Sequence, residues 1–303
     1  MDKAIEINNK GVRHFLNREF GKAEECYKEA LSMHPDYETA LNNMGLLCHQ
    51  KKEYKQAIDY FKKAIEVKPK ETYYVNAGNA SACLGLMEAA ESWYVKALEM
   101  NSRSVSALES LANLYEHNQV PGKAADIWKS LAEFTGEEKY LIEYAKNLMK
   151  RRKHKQALNL LKHRVSKEGS QAWYLTGICE YHLNNYGLAE DALMQALAKD
   201  PDDEEIRRYL AVTCIAMGEM EKGVAQFDKI LKMNPENYQI MTEKGVILLG
   251  LDQPAEALDL FEKALSISSG YKKAEKYRNM ARQILKKDVP QKSDEQEQDA
   301  EKQ

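Results

Sequence analysis

The fold class this sequence predicts is all-α: a solenoid of helix hairpins closed by one further helix. Three observations predict it. The 303 residues hold 15 Gly and 7 Pro, too few turn-formers for an all-β sandwich or barrel, and the helix formers Ala, Leu, Glu and Lys are abundant. A phrase recurs along the chain: a small residue, a second small residue twelve positions on, and a large apolar residue four positions after that. Its first member falls at Gly11, Gly45, Gly78, Ala112, Ala145, Gly177, Ala211 and Gly245, in steps of 32 to 34 residues. Within each copy the apolar residues lie three or four apart, which places them on one face of a helix.

The second copy shows the physics of the unit. Leu41, Met44, Leu47 and Cys48 make one helical stripe; Ile58, Phe61, Ala64 and Ile65 make another. The segment between them, Gln50 to Tyr54, is short and polar, so the helices fold back as an antiparallel hairpin. Gly45 and Ala57 are small because two helix backbones approach there, and Phe61 fills the wider gap toward the next copy. Eight hairpins follow in order: 4–37, 38–70, 71–104, 105–137, 138–169, 170–203, 204–237 and 238–270. Pro35, Pro69, Pro201 and Pro235 stop the second helix in four of them, because proline cannot continue a helix.

In the fourth and fifth hairpins Gly136 and Gly169 stand at the closing place, and Leu131 and Arg164 replace a small residue late in the second helix. Looser stacking with a bend between two halves explains this, and so does drift of a degenerate repeat. Over 271–287, Tyr271, Ala274, Tyr277, Ala281, Ile284 and Leu285 form one stripe beneath Lys272, Lys273, Lys276, Arg278 and Arg282. That is a capping helix, since a terminal repeat needs a polar outer face. Residues 288–303 carry six acids, two lysines and no large apolar residue beyond Val289, the composition of an acidic disordered tail.

Lys plus Arg is 44 and Asp plus Glu is 47, a net charge of -3, so nonspecific coating of nucleic acid is not expected. The cysteines, Cys26, Cys48, Cys83, Cys179 and Cys214, are odd in number, widely spaced and without a CxxC. They make no disulfide framework or zinc knuckle and fit a reducing compartment. The residues from Met1 to Glu6 do not open a signal peptide. The longest apolar run, Gly245 to Leu251, is about seven residues, far short of the ~18 that a membrane helix needs. The expectation is a soluble, cytoplasmic chain.

The repeat phrase resembles the tetratricopeptide repeat (TPR) family, a helix hairpin of roughly 34 residues. That family places Gly or Ala at the eighth place, Ala at the twentieth, an aromatic residue at the twenty-fourth and Pro at the thirty-second. The resemblance covers residues 4 to about 270. It implies a right-handed superhelix in which the first helices line a concave groove and the second helices lie outside.

No catalytic constellation accompanies it. The chain has no HExxH, no GxSxG and no Gly-rich phosphate loop: Gly122-Lys123 is followed by Ala124. Cys179 and His182 lie one turn apart and could share a metal, but Cys179 falls in an apolar stripe and reads as a buried small hydrophobe. Neither enzyme activity, cofactor nor metal is expected.

The groove-facing places implied by the resemblance hold Asn8 and Asn9, Asn42 and Asn43, Asn76 and Asn79, and Asn113. An amide both donates and accepts, so a ladder of Asn9, Asn43 and Asn76 suits the backbone of an extended peptide. The same amides could instead bond within or between hairpins. Phe15, Tyr174 and Tyr181 would add apolar contact. The C-terminal hairpins carry Leu175, Tyr209 and Glu243 at the ladder's place. The carboxylate clamp of chaperone-binding family members maps to Asn8, Val12, Asn43, Thr72 and Asn76, where only Asn43 fits. Without the cations an Hsp90/Hsp70 co-chaperone reading is rejected.

Lys146, Lys150, Arg151, Arg152, Lys153 and Lys155 crowd into ten residues. Residues 138–169 hold ten basic and three acidic side chains, so +7, while 170–203 hold one lysine and six acids, so -5. This is either a docking patch for an acidic or phosphorylated partner or a charge neutralised by its neighbours. One basic unit is too short a stripe for a polynucleotide. The function expected is a non-enzymatic scaffold or adaptor that binds a partner peptide in the groove. The alternatives are a self-assembling scaffold, forming a homo-oligomer, and a regulatory subunit of a catalytic partner.

Overall fold

The computed structural model describes residues 2–166 and 168–287. They form seventeen α-helices, with no strand among the described residues. The expected tail, 288–303, lies outside them. Two compact units divide the chain, Met1–Leu160 and Leu161–Gln303. The first contains α1 (Asp2–Leu16), α2 (Phe20–Met33), α3 (Glu38–Gln50), α4 (Tyr54–Val67), α5 (Glu71–Cys83), α6 (Met87–Met100), α7 (Val105–His117), α8 (Pro121–Thr135) and α9 (Glu138–Lys150). The boundary falls inside α10 (His154–Arg164). The second contains α11 (Ser170–His182), α12 (Tyr186–Lys199), α13 (Glu204–Ala216), α14 (Met220–Met233), α15 (Tyr238–Gly250), α16 (Pro254–Ile267) and α17 (Lys272–Lys287).

Consecutive helices pair as hairpins, α1 with α2 through α7 with α8, and α11 with α12 through α15 with α16. The small residues do what their size predicts. A Cβ added to Gly45 would sit 2.6 Å from Cδ1 and 2.9 Å from Cζ of the Phe61 ring, which is fully buried. Gly11 meets Tyr27, Gly78 meets Tyr94, Gly177 meets Leu193 and Gly245 meets Phe261 in the same way. The seventh hairpin reverses the pair: Ala211 stands on the first helix, and a Cβ on Gly223 would come 2.9 Å from the Ala211 carbonyl oxygen. Ala30 and Ala64 close the seams between hairpins, Ala30 against Ala4 and Ala40, and Ala64 against Leu41 and Tyr73.

Every hairpin turn contains one left-handed residue: Arg18, Lys52, Gly85, Gln119, Arg152, Asn184, Gly218 and Asp252. Each lies seven positions after the small residue of its own copy. The next N–H returns to the carbonyl five residues back, as from Glu53 to Cys48 (2.8 Å) and from Lys153 to Leu148 (2.8 Å). This arrangement satisfies a carbonyl that the end of the first helix would otherwise orphan.

At the C-terminal end, α17 packs on α16 and α15 much as α5 packs on α4 and α3. Ala274 and Ala281 are fully buried, Tyr277 stacks on Phe261 at 6.1 Å, and Tyr271 meets Tyr238 edge-on at 5.0 Å. The expected cap is therefore present. In the fourth hairpin Leu131 is buried where five copies hold Ala and the seventh holds a buried Ile230, and Gly136 ends α8 in the left-handed region at φ 72°. The helix α10 has 11 residues and stops at an exposed Arg164, whereas the second helices α2, α4 and α6 have 14. None of the described helices is long and apolar enough to cross a membrane.

Candidate partner-binding surface

The first helices of the Met1–Leu160 unit carry the asparagines singled out above, and these divide into two groups. Asn8 and Asn42 are buried. Asn43 donates its Nδ2 to Asn8 Oδ1 at 2.9 Å, and Asn76 donates to Asn42 Oδ1 at 2.9 Å. Each bond ties one first helix to the next, so this part of the ladder is a seam between hairpins. Asn43 and Asn76 are half-buried, and each keeps its carbonyl oxygen and a second N–H outside those bonds. Asn79 Oδ1 accepts from the hydroxyl of Tyr94 at 2.8 Å. The exposed pair, Asn9 and Asn113, bonds through its amides to no described residue. Phe15 is half-buried and packs on Phe20 at 5.7 Å between ring centroids.

A recess of about 510 Å³ opens beside Asn79 and Asn113, lined also by His49, Cys83, Met87 and His117. Burial lowers the His49 pKa from its ordinary value, so the ring is neutral at neutral pH.

In the Leu161–Gln303 unit the ladder's place carries other chemistry for the same task. Arg208 of α13 reaches Glu243 of α15 through two bonds, at 2.8 and 2.9 Å. Tyr174 meets Tyr209 edge-on at 5.6 Å, and burial pushes the Tyr174 hydroxyl far above its usual range, with Glu205 adding to it. Tyr181 is half-buried against Tyr186 and His182 and lines an apolar recess of about 410 Å³ with Val212 and Val246.

The basic cluster is only partly available. Lys146 pairs with Glu143 at 2.8 Å and Lys150 with Glu116 at 2.7 Å. Arg151, Arg152, Lys153 and Lys155 are exposed, and among the described residues none of them meets a carboxylate. Glu116 was not evident from the sequence. It accepts from Trp128 Nε1, Asn147 Nδ2 and Lys150 Nζ, each at 2.7 Å. Burial opposes its charge, but these three donors outweigh that and hold the carboxyl below the usual range. Asn147 and Lys150 lie 31 and 34 residues from Glu116, close to one repeat. That spacing is the signal that could have found them.

Among the described residues one group of three donors lies together: Glu190, Cys214 and Glu219. Lys222 already pairs with Glu219 at 2.8 Å, and burial raises the Cys214 thiol to about 11. The cluster is a core thiol rimmed by acids. Cys179 is fully buried, as its stripe predicted.

Against known families, the tetratricopeptide repeat matches at residues 39–71, 72–104, 144–204, 181–245 and 238–271. These stretches cover more than half of the chain, and 39–71, 72–104 and 238–271 each coincide with one hairpin described above. The chain belongs to the tetratricopeptide repeat family. A TPR repeat-containing protein of Methanocaldococcus jannaschii is 25% identical over 242 residues, 76% of this chain and 43% of that one. An RNA polymerase-associated protein of Caenorhabditis elegans is 24% identical over 264 residues, 82% of this chain and 23% of that one. The TPR chain thus spans less than half the length of these relatives. Yeast Tom70 shares the fold, with a TM-score of 0.56 at 15% identity over 94% of this chain and 62% of its own. TPR proteins typically mediate protein–protein interaction and are generally non-catalytic.

Proposed function

We propose that this TPR chain is a non-enzymatic scaffold or adaptor whose first helices hold an extended segment of a partner protein. The observation that carries the reading is the set of uncommitted amides on those helices. Asn9 and Asn113 are exposed, and Asn43 and Asn76 keep an oxygen and an N–H beyond their seam bonds. Amides of this kind pair with peptide backbone whatever its side chains, and the recess beside Asn113 offers room for one side chain. Asn42, named above as a contact, serves the seam and supports the ladder from behind.

Peptides selected from a random display library against the full chain test this. Asn9→Ala and Asn113→Ala together are expected to weaken their binding about tenfold, because two amide pairs are worth roughly 1.4 kcal/mol together. Helix content should stay the same. Unchanged affinity would remove the reading.

The four free cations at 151–155 favour an acidic stretch in the same partner. Selected peptides should be enriched in Asp and Glu, and their affinity should fall as salt rises. Neutralising Arg151, Arg152 and Lys153 to Gln should flatten that salt dependence.

A further inference from the structure

The recess in the Met1–Leu160 unit has an unusual lining. His49, Cys83, Met87 and His117 contribute two imidazoles, a thiol and a thioether, and no carboxylate, lysine or arginine lines it with them. Cys83 is the exposed cysteine; the other four are buried. Its Sγ lies 3.6 Å from His49 Nε2. The repeat explains the meeting: Cys83 and His117 stand five residues after Gly78 and Ala112, and His49 four after Gly45. Three consecutive first helices therefore bring their C-terminal turns to one place.

We infer that His49, Cys83 and His117 form a binding site for a thiophilic d10 cation, Zn2+ or Cu+, with Met87 beside them as a fourth donor. The distance supports it. A tetrahedral ion with Zn–S near 2.3 Å and Zn–N near 2.05 Å separates its sulfur and nitrogen ligands by about 3.6 Å, the spacing that Cys83 and His49 already hold. The His49 ring is fixed edge-on against Tyr54 at 5.2 Å. His117 is exposed at the end of α7 and lines the same recess, so its ring must rotate toward the other two to complete the site. Soft sulfur with imidazole selects these ions over Mg2+ or Ca2+, which take oxygen ligands. Binding replaces the thiol proton: the S–H bond breaks, the S–metal bond forms, and one proton goes to solvent.

The test uses the untagged, reduced full chain. Co2+ serves as a spectroscopic stand-in for Zn2+. Zn2+ is titrated against a chromophoric chelator, and Cu+ anaerobically against a copper(I) chelator; whichever ion binds at 1:1 in the submicromolar range identifies the occupant. With Co2+, a thiolate-to-metal charge-transfer band is expected in the near ultraviolet. Cys83→Ser is expected to abolish that band. Cys83→Ser, His49→Ala and His117→Ala should each weaken binding at least about tenfold, since even residues behind metal ligands cost that much. Cys214→Ser, at the acid-rimmed core thiol, should change nothing. His49, Cys83 and His117 are exposed or half-buried, so their variants should fold, and circular dichroism checks that for them and for Cys214→Ser. The inference is overturned if binding occurs only at millimolar metal, if Cys83→Ser or His117→Ala leaves it unchanged, or if Cys214→Ser removes it. In the last three cases the thiol–imidazole contact is an ordinary hydrogen bond.

Discussion

Adding one methyl group to the chain at Gly45 tests the close approach of helices on which the hairpin depends. In Gly45→Ala the new Cβ would lie 2.6 Å from Phe61 Cδ1 and 2.9 Å from Cζ, against a carbon–carbon optimum of about 3.5–4.0 Å. The helices α3 and α4 must part by about 1 Å, or the ring must turn. The ring has little room: it is fully buried among Cys48, Ala57, Ile58, Ala77 and Ala80. Overpacking of this kind costs about 1–3 kcal/mol, and replacing a mid-helix glycine by alanine returns about 1 kcal/mol. The net expected loss is near 1 kcal/mol and no more than about 2. Ala112 holds this place in the fourth hairpin and is fully buried there, so the hairpin can open to take this methyl, which keeps the loss modest. Gly21→Ala is the control: nothing lies within 4 Å of its Cβ, so stability should hold or rise by a few tenths. Urea unfolding followed by circular dichroism reads both. Phe61→Leu in the Gly45→Ala background removes the ring that the new methyl meets, so the double variant should cost less than the two single losses summed. The reasoning is refuted if Gly45→Ala matches Gly21→Ala, or if the two losses simply add.

Three further outcomes follow from named contacts. Gly85 has φ 74° with open space around it, so Gly85→Ala should lose about 1 kcal/mol through backbone strain alone, while Lys52→Gly at φ 63° should lose nothing or gain slightly; thermal melts compare them. Glu116 has a folded pKa held below its unfolded value of about 4.3. Its contribution is therefore complete above about pH 5 and lost as pH falls through the folded value, and Glu116→Gln should flatten the acid limb of the stability–pH curve measured by urea midpoints. Glu180 is buried and held by Lys162 and Asn185, each at 2.8 Å. Lys162→Met should cost about 1–3 kcal/mol by leaving the carboxylate short of a partner, and Lys162→Met with Glu180→Leu should recover part of it in a double-mutant cycle.

Much of this architecture is readable in the sequence because it rests on residue size. A glycine opposite Phe61 or Tyr94 has one physical explanation, and eight small residues, five of them glycine, each sixteen positions before a large one leave no other fold. The cap was legible for the same reason, as a helical stripe with two alanines at its base. The left-handed turns were not. Only Gly85, Gly218 and, more weakly, Asn184 advertise one, while Arg18, Lys52, Gln119, Arg152 and Asp252 adopt it because the return bond to the first helix outweighs the strain. The asparagines could be placed but not assigned, since an amide that binds peptide and an amide that bonds the next hairpin look alike in sequence. Asn43 and Asn8 lie 35 apart and Asn76 and Asn42 lie 34 apart. Spacing by one repeat marks residues that can meet, but it does not say which edge of the helix they share. The basic cluster stayed ambiguous in the sequence for a related reason: Lys146 and Lys150 are answered from Glu143 and Glu116, and the second of these sits a full repeat away.

The central claim is that the first helices hold the partner. A photo-crosslinking residue placed singly at Asn9, Asn113, Glu29 and Glu99, with a library-selected peptide bound, tests it most directly. Positions 9 and 113 lie on first helices and 29 and 99 are exposed on second helices. Crosslinks at 9 and 113, with none at 29 and 99, are predicted. Crosslinks confined to 29 and 99, or equal at all four, would contradict the account.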